Sequence, residues 1–266
     1  MKIVQLAALL LLLTTSCTKI IDIDLNTTDP RLVIEGEITD QMNGCIVKLS
    51  QTTNFSSPNV YAPVRGAVIT IDDGLKTVLL KEIEAGLYVT QEINGQSGKT
   101  YTLTVNQAGK TYLATSTMPN AVDLYGAEIS ESPFGNRPGA DEKNYEFLPL
   151  FDDPAHEKNY YRFIFESKGM VDNNFLYAFS DNLTNGITNP IPLPQSEDFD
   201  LAPGDTVTME MRCLDKKVYE YFYSLGQLSG DGNGAATPAN PLSNFNSNAL
   251  GYFGAFTIRK IKAVVP

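Results

Sequence analysis

Between Arg31 and Pro119 the chain is cut at close intervals into short β-prone runs by turn residues, and that rhythm limits what it can fold into. Leu32-Val33-Ile34-Glu35-Gly36-Glu37-Ile38 is β-branched and partly alternating. Cys45 to Ser50 follows the turn-forming pair Asn43-Gly44, and Ala67 to Ile71 ends at Asp72-Asp73-Gly74. Thr77 to Glu82, Gly86 to Thr90, Thr100 to Val105 and Lys110 to Thr115 complete about seven strands, with no convincing helix among them. The expectation for 31–119 is therefore an antiparallel β-sandwich of immunoglobulin or transthyretin-like type.

Three pieces sharpen this: Val64-Arg65-Gly66-Ala67-Val68-Ile69-Thr70-Ile71, Gly86-Leu87-Tyr88 and Gly98-Lys99-Thr100-Tyr101-Thr102-Leu103. Together they resemble carboxypeptidase-regulatory-like modules, in which glycine allows a tight strand entry and tyrosine supplies a large ring for the sandwich. That resemblance speaks to fold rather than activity. Cys45 alternates with Val47 and Leu49, which directs it to the core as a buried free thiol; a disulfide to Cys213 is the alternative. Gln51 to Asn59 with Tyr61-Ala62-Pro63 reads as a long loop, a surface insertion or a binding loop.

The pattern changes after Met118-Pro119-Asn120. Ser132 to Gly139 is a Pro/Gly-rich loop. Tyr145–Phe151 and Tyr160–Glu166 read as strands joined by the acidic turn 152–159 into a hairpin-like unit. Phe175 to Ser180 is a further strand, and 181–203, holding four prolines, is expected to be extended and largely irregular. Asp205 to Leu214 alternates: Val207, Met209, Met211 and Cys213 are directed inward, Thr206, Thr208, Glu210 and Arg212 outward. Asp215 can then cap a helix whose Val218, Tyr221, Phe222 and Leu225 share one face; it ends before Gly226 or runs on to Leu228. A strand over Phe256–Val265 closes the chain. Gly251 and Gly254, flanking Tyr252-Phe253, indicate a backbone pressed against a neighbour or a bulge. The segment 120–266 is thus expected to form a second β-rich (α+β) domain with one or two short helices.

The net charge of −11 argues against nucleic-acid binding, which needs basic surfaces to neutralise phosphates. A single histidine, His156, removes most zinc enzymes and most hydrolases that pair serine or cysteine with histidine. Asp152, Asp153, His156 and Glu157 are metal-ligand types within six residues, but there is no HxxxH or HExxH pair, the spacing matches no EF-hand, and Asp153-Pro154 is ordinary turn chemistry. Asp231-Gly232-Asn233-Gly234 reads as a flexible turn. Asp198 with Asp200, and Asp152 with Asp153, are carboxylate pairs without a partner motif. No catalytic, metal-binding or cofactor-binding residue is assigned, and the ligand-binding residues stay unassigned.

Ahead of all this, Met1-Lys2 is followed by the apolar run Ile3–Leu13. Eleven residues fall short of the ~20 needed to span a bilayer but suit a signal-peptide core. Leu13-Thr14-Thr15-Ser16-Cys17 resembles the bacterial lipoprotein signal, in the looser spacing of Bacteroidetes lipoproteins, with Thr14 where leucine is usual. The resemblance implies cleavage before Cys17, a diacylglycerol on its sulfur and an acylated N-terminus; a secretory signal with a chance cysteine is the alternative. More than one acyl chain gives stable anchoring, at about 0.8 kcal/mol per buried methylene. Asp22 and Asp24 loosely resemble surface-export signals. Residues 1–16 are then a signal peptide, 17–30 a lipidated tether, 31–119 the sandwich and 120–266 the second domain.

Five segments carry a resemblance over nearly the whole mature chain: Val33 to Asp40, Pro63 to Ala67, Asp153-Pro154 with Asn159-Tyr160-Tyr161-Arg162, Asn240-Pro241-Leu242, and Leu250 to Ala255. With Cys17 they resemble the Bacteroidetes lipoprotein family called domain of unknown function 4249. Its members resemble accessory lipoproteins of TonB-dependent β-barrel receptors, and it has no agreed catalytic motif. The resemblance implies an outer-membrane, outward-facing lipoprotein that is not an enzyme and serves such a transporter. Surface adhesion, or a carboxylate-dependent surface hydrolase, is the alternative.

Overall fold

Alternation along the chain becomes strands wherever one face can be covered. The computed structural model describes residues 30–42, 44–53, 61–133, 143–172, 176–188, 191–196, 198–229 and 240–266. The first part contains β1 (Leu32–Thr39), β2 (Cys45–Gln51), β3 (Val68–Asp72), β4 (Thr77–Leu79), β5 (Lys81–Glu84), β6 (Leu87–Thr90), β7 (Thr100–Gln107) and β8 (Lys110–Thr117). The run expected as one strand over Thr77–Glu82 is two. β4 pairs with β3, Leu80 turns inward, and β5 pairs with β6 in a different sheet. A chain that changes sheets at a corner joins the two layers of a sandwich covalently.

One layer of that sandwich is the four-stranded sheet β4-β3-β7-β8; the other contains β1, β2, β6 and β5. Ile34, Ile38, Val47, Leu49, Ile69, Ile71, Leu103 and Val105 from both layers form a single aliphatic core. The two motif tyrosines lie inside it. Tyr88 accepts from Ala67 N–H at 3.1 Å and donates to the Val64 carbonyl at 3.2 Å, and Tyr101 accepts from Gln96 N–H at 2.8 Å. Each ring fills the core while its hydroxyl ties down a loop. Cys45 and Cys213 are both buried free thiols, and burial raises the pKa of each.

The second part contains β9 (Gly126–Glu131), β10 (Tyr145–Leu150), β11 (Tyr160–Ser167), β12 (Met170–Val171), β13 (Tyr177–Ser180), a 3-10 turn at Asp181–Leu183, β14 (Leu193–Pro194), β15 (Thr206–Cys213), α1 (Lys216–Ser229) and β16 (Leu250–Val264). β10 and β11 are not a hairpin, contrary to expectation. β10 lies between β14 and β9 in a three-stranded sheet, whereas β11 pairs with β12, β13 and β15. Buried residues alternate along both strands, so each needs its own covered face, and stacking the strands in separate layers provides it. Between those layers sits an aromatic core in which Phe147 stacks on Phe165 at 4.4 Å and Phe151 meets Tyr161 at 4.9 Å. The proline-bearing stretch is largely irregular, and its short extended piece Leu193–Pro194 pairs with β10, Leu193 opposite Phe147.

Asp215 caps α1 by accepting Val218 N–H at 2.9 Å, and the helix continues past both expected ends to Ser229, with Gly226 inside it. The other carboxylate oxygen of Asp215 accepts from the Ser116 hydroxyl and from Thr117 N–H, both on β8, so the cap also joins the second part to the first.

The final strand holds the layers together. Val33 to Thr39 of β1 pair in parallel with Leu250 to Phe256 of β16, and the rest of β16 pairs antiparallel with β15. The resulting nine-stranded sheet runs β12-β11-β15-β16-β1-β2-β6-β5, with β13 on β11. β16 therefore lies at its centre and is buried on both faces from Phe253 to Ile258. Gly251, at φ +91°, shows why a side chain is excluded at its entry: an added Cβ would stand 2.0 Å from the Ile34 carbonyl oxygen. Asn244 pins the Phe253 backbone by accepting its N–H at 3.0 Å and donating to its carbonyl at 2.7 Å.

Candidate functional site

The faces of this sheet have unlike jobs. On β1, β11, β15 and β16, Ile34, Phe163, Met211 and Phe253 belong to the two cores. The opposite face carries Glu35 and Glu37 from β1, Arg162 and Glu166 from β11, Glu210 and Arg212 from β15, and Tyr252 from β16, as the strand period of two requires. α1 covers one end of this face, seating Val218, Tyr221 and Phe222 against Phe256 and Ile258.

Beside the helix lies a cavity of about 360 Å³, bordered by Arg162, Glu166, Asp172, Glu210, Arg212 and Tyr252. A second hollow of about 110 Å³ lies across Glu37, Glu210 and Arg212 from it. The rib between them is an ion-pair chain. Arg212 Nη1 donates to Glu37 at 2.8 Å, its Nε to Glu210 at 2.5 Å, and Lys260 Nζ reaches the other Glu210 oxygen at 2.6 Å. Sequence alternation directs Glu210 and Arg212 outward, and they do leave the core. Yet Glu210 is buried, with Arg212 and Lys260 closing on its carboxylate. Burial opposes ionisation of Glu210, but Arg212 and Lys260 outweigh it and hold the carboxyl below its ordinary 4.5.

Arg162 stands directly across the ladder from Arg212 but in another electrostatic situation. Its guanidinium lies 4.0 Å over the Phe222 ring, a cation–π contact from α1. Its Nε is shut off from solvent without a hydrogen-bond partner among the described residues. Desolvation holds its pKa below the ordinary arginine value. Tyr252 packs against Tyr221 at 4.9 Å and Phe222 at 4.8 Å, and burial, reinforced by Glu37, keeps its phenol protonated. The site thus offers a fixed guanidinium, a neutral phenol, ringed apolar walls and paired carboxylates. These are groups that hold and orient a ligand.

Residues singled out from sequence lie elsewhere. Cys17 and Asp231 to Gly234 fall outside the described residues, as does most of the loop between Gln51 and Tyr61. Asp152 and Asp153 are consecutive but diverge. Asp152 is exposed and accepts from Thr188 and Tyr125 hydroxyls, at 2.6 and 3.2 Å. Asp153 is buried and accepts from the Tyr161 hydroxyl and, at 2.9 Å, from Gly186 N–H. His156 is exposed, 3.9 Å from Glu157. Asp198 and Asp200 are both exposed, on either side of buried Phe199. Among the described residues no group of three or more His, Cys, Asp or Glu is placed to hold a metal ion, and no helix is long and apolar enough to cross a membrane.

Sequence reasoning did not single out Arg162, Glu37, Glu210, Arg212 or Tyr252 as a site. The available signal was charge on the non-core parity of strands otherwise built of apolar residues. Three of the quoted segments, Val33 to Asp40, Asn159 to Arg162 and Leu250 to Ala255, meet on this face.

No curated protein matches the chain. Among solved structures it is similar to a chain of a cytokine receptor complex at 9% identity and a TM-score of 0.24, over 86% of this chain and 94% of that one, a likeness too slight to bear on fold or function. A family model, by contrast, matches residues 18–262, nearly all of the described body: the chain belongs to the family described as Domain of unknown function (DUF4249).

Proposed function

We propose that the protein is a lipid-anchored component of the outer membrane that faces outward and assists a TonB-dependent β-barrel transporter by binding, without catalysing a reaction. The observation that carries this reading is the junction at Cys17. The apolar run and small residues end there, and the family match begins one residue later, at Thr18. A leader that is removed and an anchor at the first mature residue would leave 18–30 as a tether ahead of β1. The ionic cavity supports a capturing role, because its groups fix and orient a ligand and make no demand for turnover.

Two measurements test it. Metabolic labelling with a palmitate analogue should label the wild-type chain, and Cys17→Ala should abolish the label and release the chain from the outer-membrane fraction. Retention of Cys17→Ala in the membrane as firmly as wild type would remove the anchor. Capture of the tagged protein from detergent-solubilised outer membrane should recover a TonB-dependent barrel, and repeated recovery of none would remove the transporter role.

A further inference from the structure

We propose that the cavity beside α1 is a binding site for a small monocarboxylate with an apolar body, anchored by Arg162. The site stands apart from the lipid-anchor reading and can be tested whether or not that reading holds. Its starting point is the contrast between two cross-strand neighbours. Arg212 spends its guanidinium on Glu37 and Glu210, whereas the Nε of Arg162 has no hydrogen-bond partner among the described residues, and Glu37 and Glu210 act on Arg162 only through space. An arginine N–H shut off from water without an acceptor is costly, and the cost falls when a carboxylate completes the planar fork. Stacking on Phe222 fixes the orientation of that fork in advance, so little side-chain freedom is lost on binding.

The rest of the lining selects the ligand. Glu37, Glu166, Asp172 and Glu210 outnumber Arg162 and Arg212 around the cavity, so each negative charge on a ligand is opposed, a dianion such as phosphate about twice as strongly as a single carboxylate, and only the contact with Arg162 offsets that repulsion. Ile164, Val171, Leu176 and the ring of Tyr252 supply apolar wall for the remainder of the molecule. The volume of about 360 Å³ lies at the lower end of the range for small-molecule sites.

Isothermal titration of the full chain in a non-ionic detergent, with a panel of N-acetylated amino acids, tests the site. N-acetyl-leucine or another panel member should bind saturably with one ligand per chain. Its methyl ester and inorganic phosphate should bind at least tenfold more weakly. Arg162→Gln should weaken binding at least tenfold, and Arg162→Lys should also fall, since it keeps the charge and loses the fork. Val171→Trp, at an exposed rim position where folding should be unaffected, should block entry and abolish binding whether or not the Arg162 variants fold. Absence of saturable binding by every panel member, equal binding by Val171→Trp and wild type, or tighter binding of phosphate than of any carboxylate would overturn the proposal.

Discussion

The two cores of this molecule are built from different materials. The first is aliphatic, with isoleucine, valine and leucine meeting across two sheets whose neighbouring strands are mostly close in sequence. The second is aromatic, and one of its hydroxyls meets a buried carboxylate. Tyr161 donates to the buried Asp153, and Tyr177 donates to the Pro194 carbonyl. Burial raises both phenol pKa values, so these hydroxyls stay donors. The aliphatic core is held by area removed from water and tolerates small changes of shape. The aromatic core also depends on directional bonds that anchor irregular chain, and a lost donor leaves a buried acceptor unpaired. Tyrosine hydroxyls hold loops in both cores, through backbone groups at Tyr88 and Tyr101 in the first, but in the second one of them bonds a buried carboxylate, and that contact is the harder to lose.

Both cores share β16, so the largest effect expected from one substitution is at its entry. Gly251→Val should destabilise the protein by about 4 kcal/mol or more, because the new Cβ meets the Ile34 carbonyl at a positive φ that valine avoids. Chemical denaturation with probes in both cores would check this; loss of only one core would show that the shared strand does not couple them.

The contrast between the cores is tested by a pair of conservative changes. Tyr161→Phe, which removes one oxygen, should cost about 1–3 kcal/mol, since Asp153 loses its buried donor. Ile71→Val, which removes one methylene from the aliphatic core, should cost about 0.5–1.5 kcal/mol. Equal losses in urea unfolding would mean that the hydroxyl is no more than volume.

The smallest effect is a pH dependence on the sheet face outside both cores. The folded pKa of Glu210 is depressed, so its stabilising contribution is complete above the ordinary value of 4.5 and is lost as pH falls through the lower folded value. Glu210→Gln should therefore flatten that part of the acid limb while lowering stability at neutral pH. An unchanged acid profile would show that the Glu37–Arg212–Glu210–Lys260 chain contributes nothing through ionisation.

Much of this was legible in the residues. Alternation from Val207 to Cys213 named the buried side of β15, and Asp215 with the spacing of Val218, Tyr221 and Phe222 named the helix, its cap and its buried face. Gly251 signalled a close backbone approach that the Ile34 carbonyl makes real. The candidate site was not legible, although every residue in it was in view. Glu37, Arg162, Glu210 and Tyr252 lie on four strands that sequence order keeps far apart, and a charge at an outward parity looks the same whether water or a helix will cover it.

By itself, then, the sequence determined a mainly β chain, the two faces of most of its strands, its helix and the family it belongs to. Tertiary structure alone decided which strands are neighbours. A period of two assigns a side chain to a face but carries no information about the partner across the ladder. The parallel pairing of Val33–Thr39 with Leu250–Phe256 is settled by packing both faces of β16, and that pairing brings Glu37 to Arg212 and leaves Arg162 beside them over Phe222.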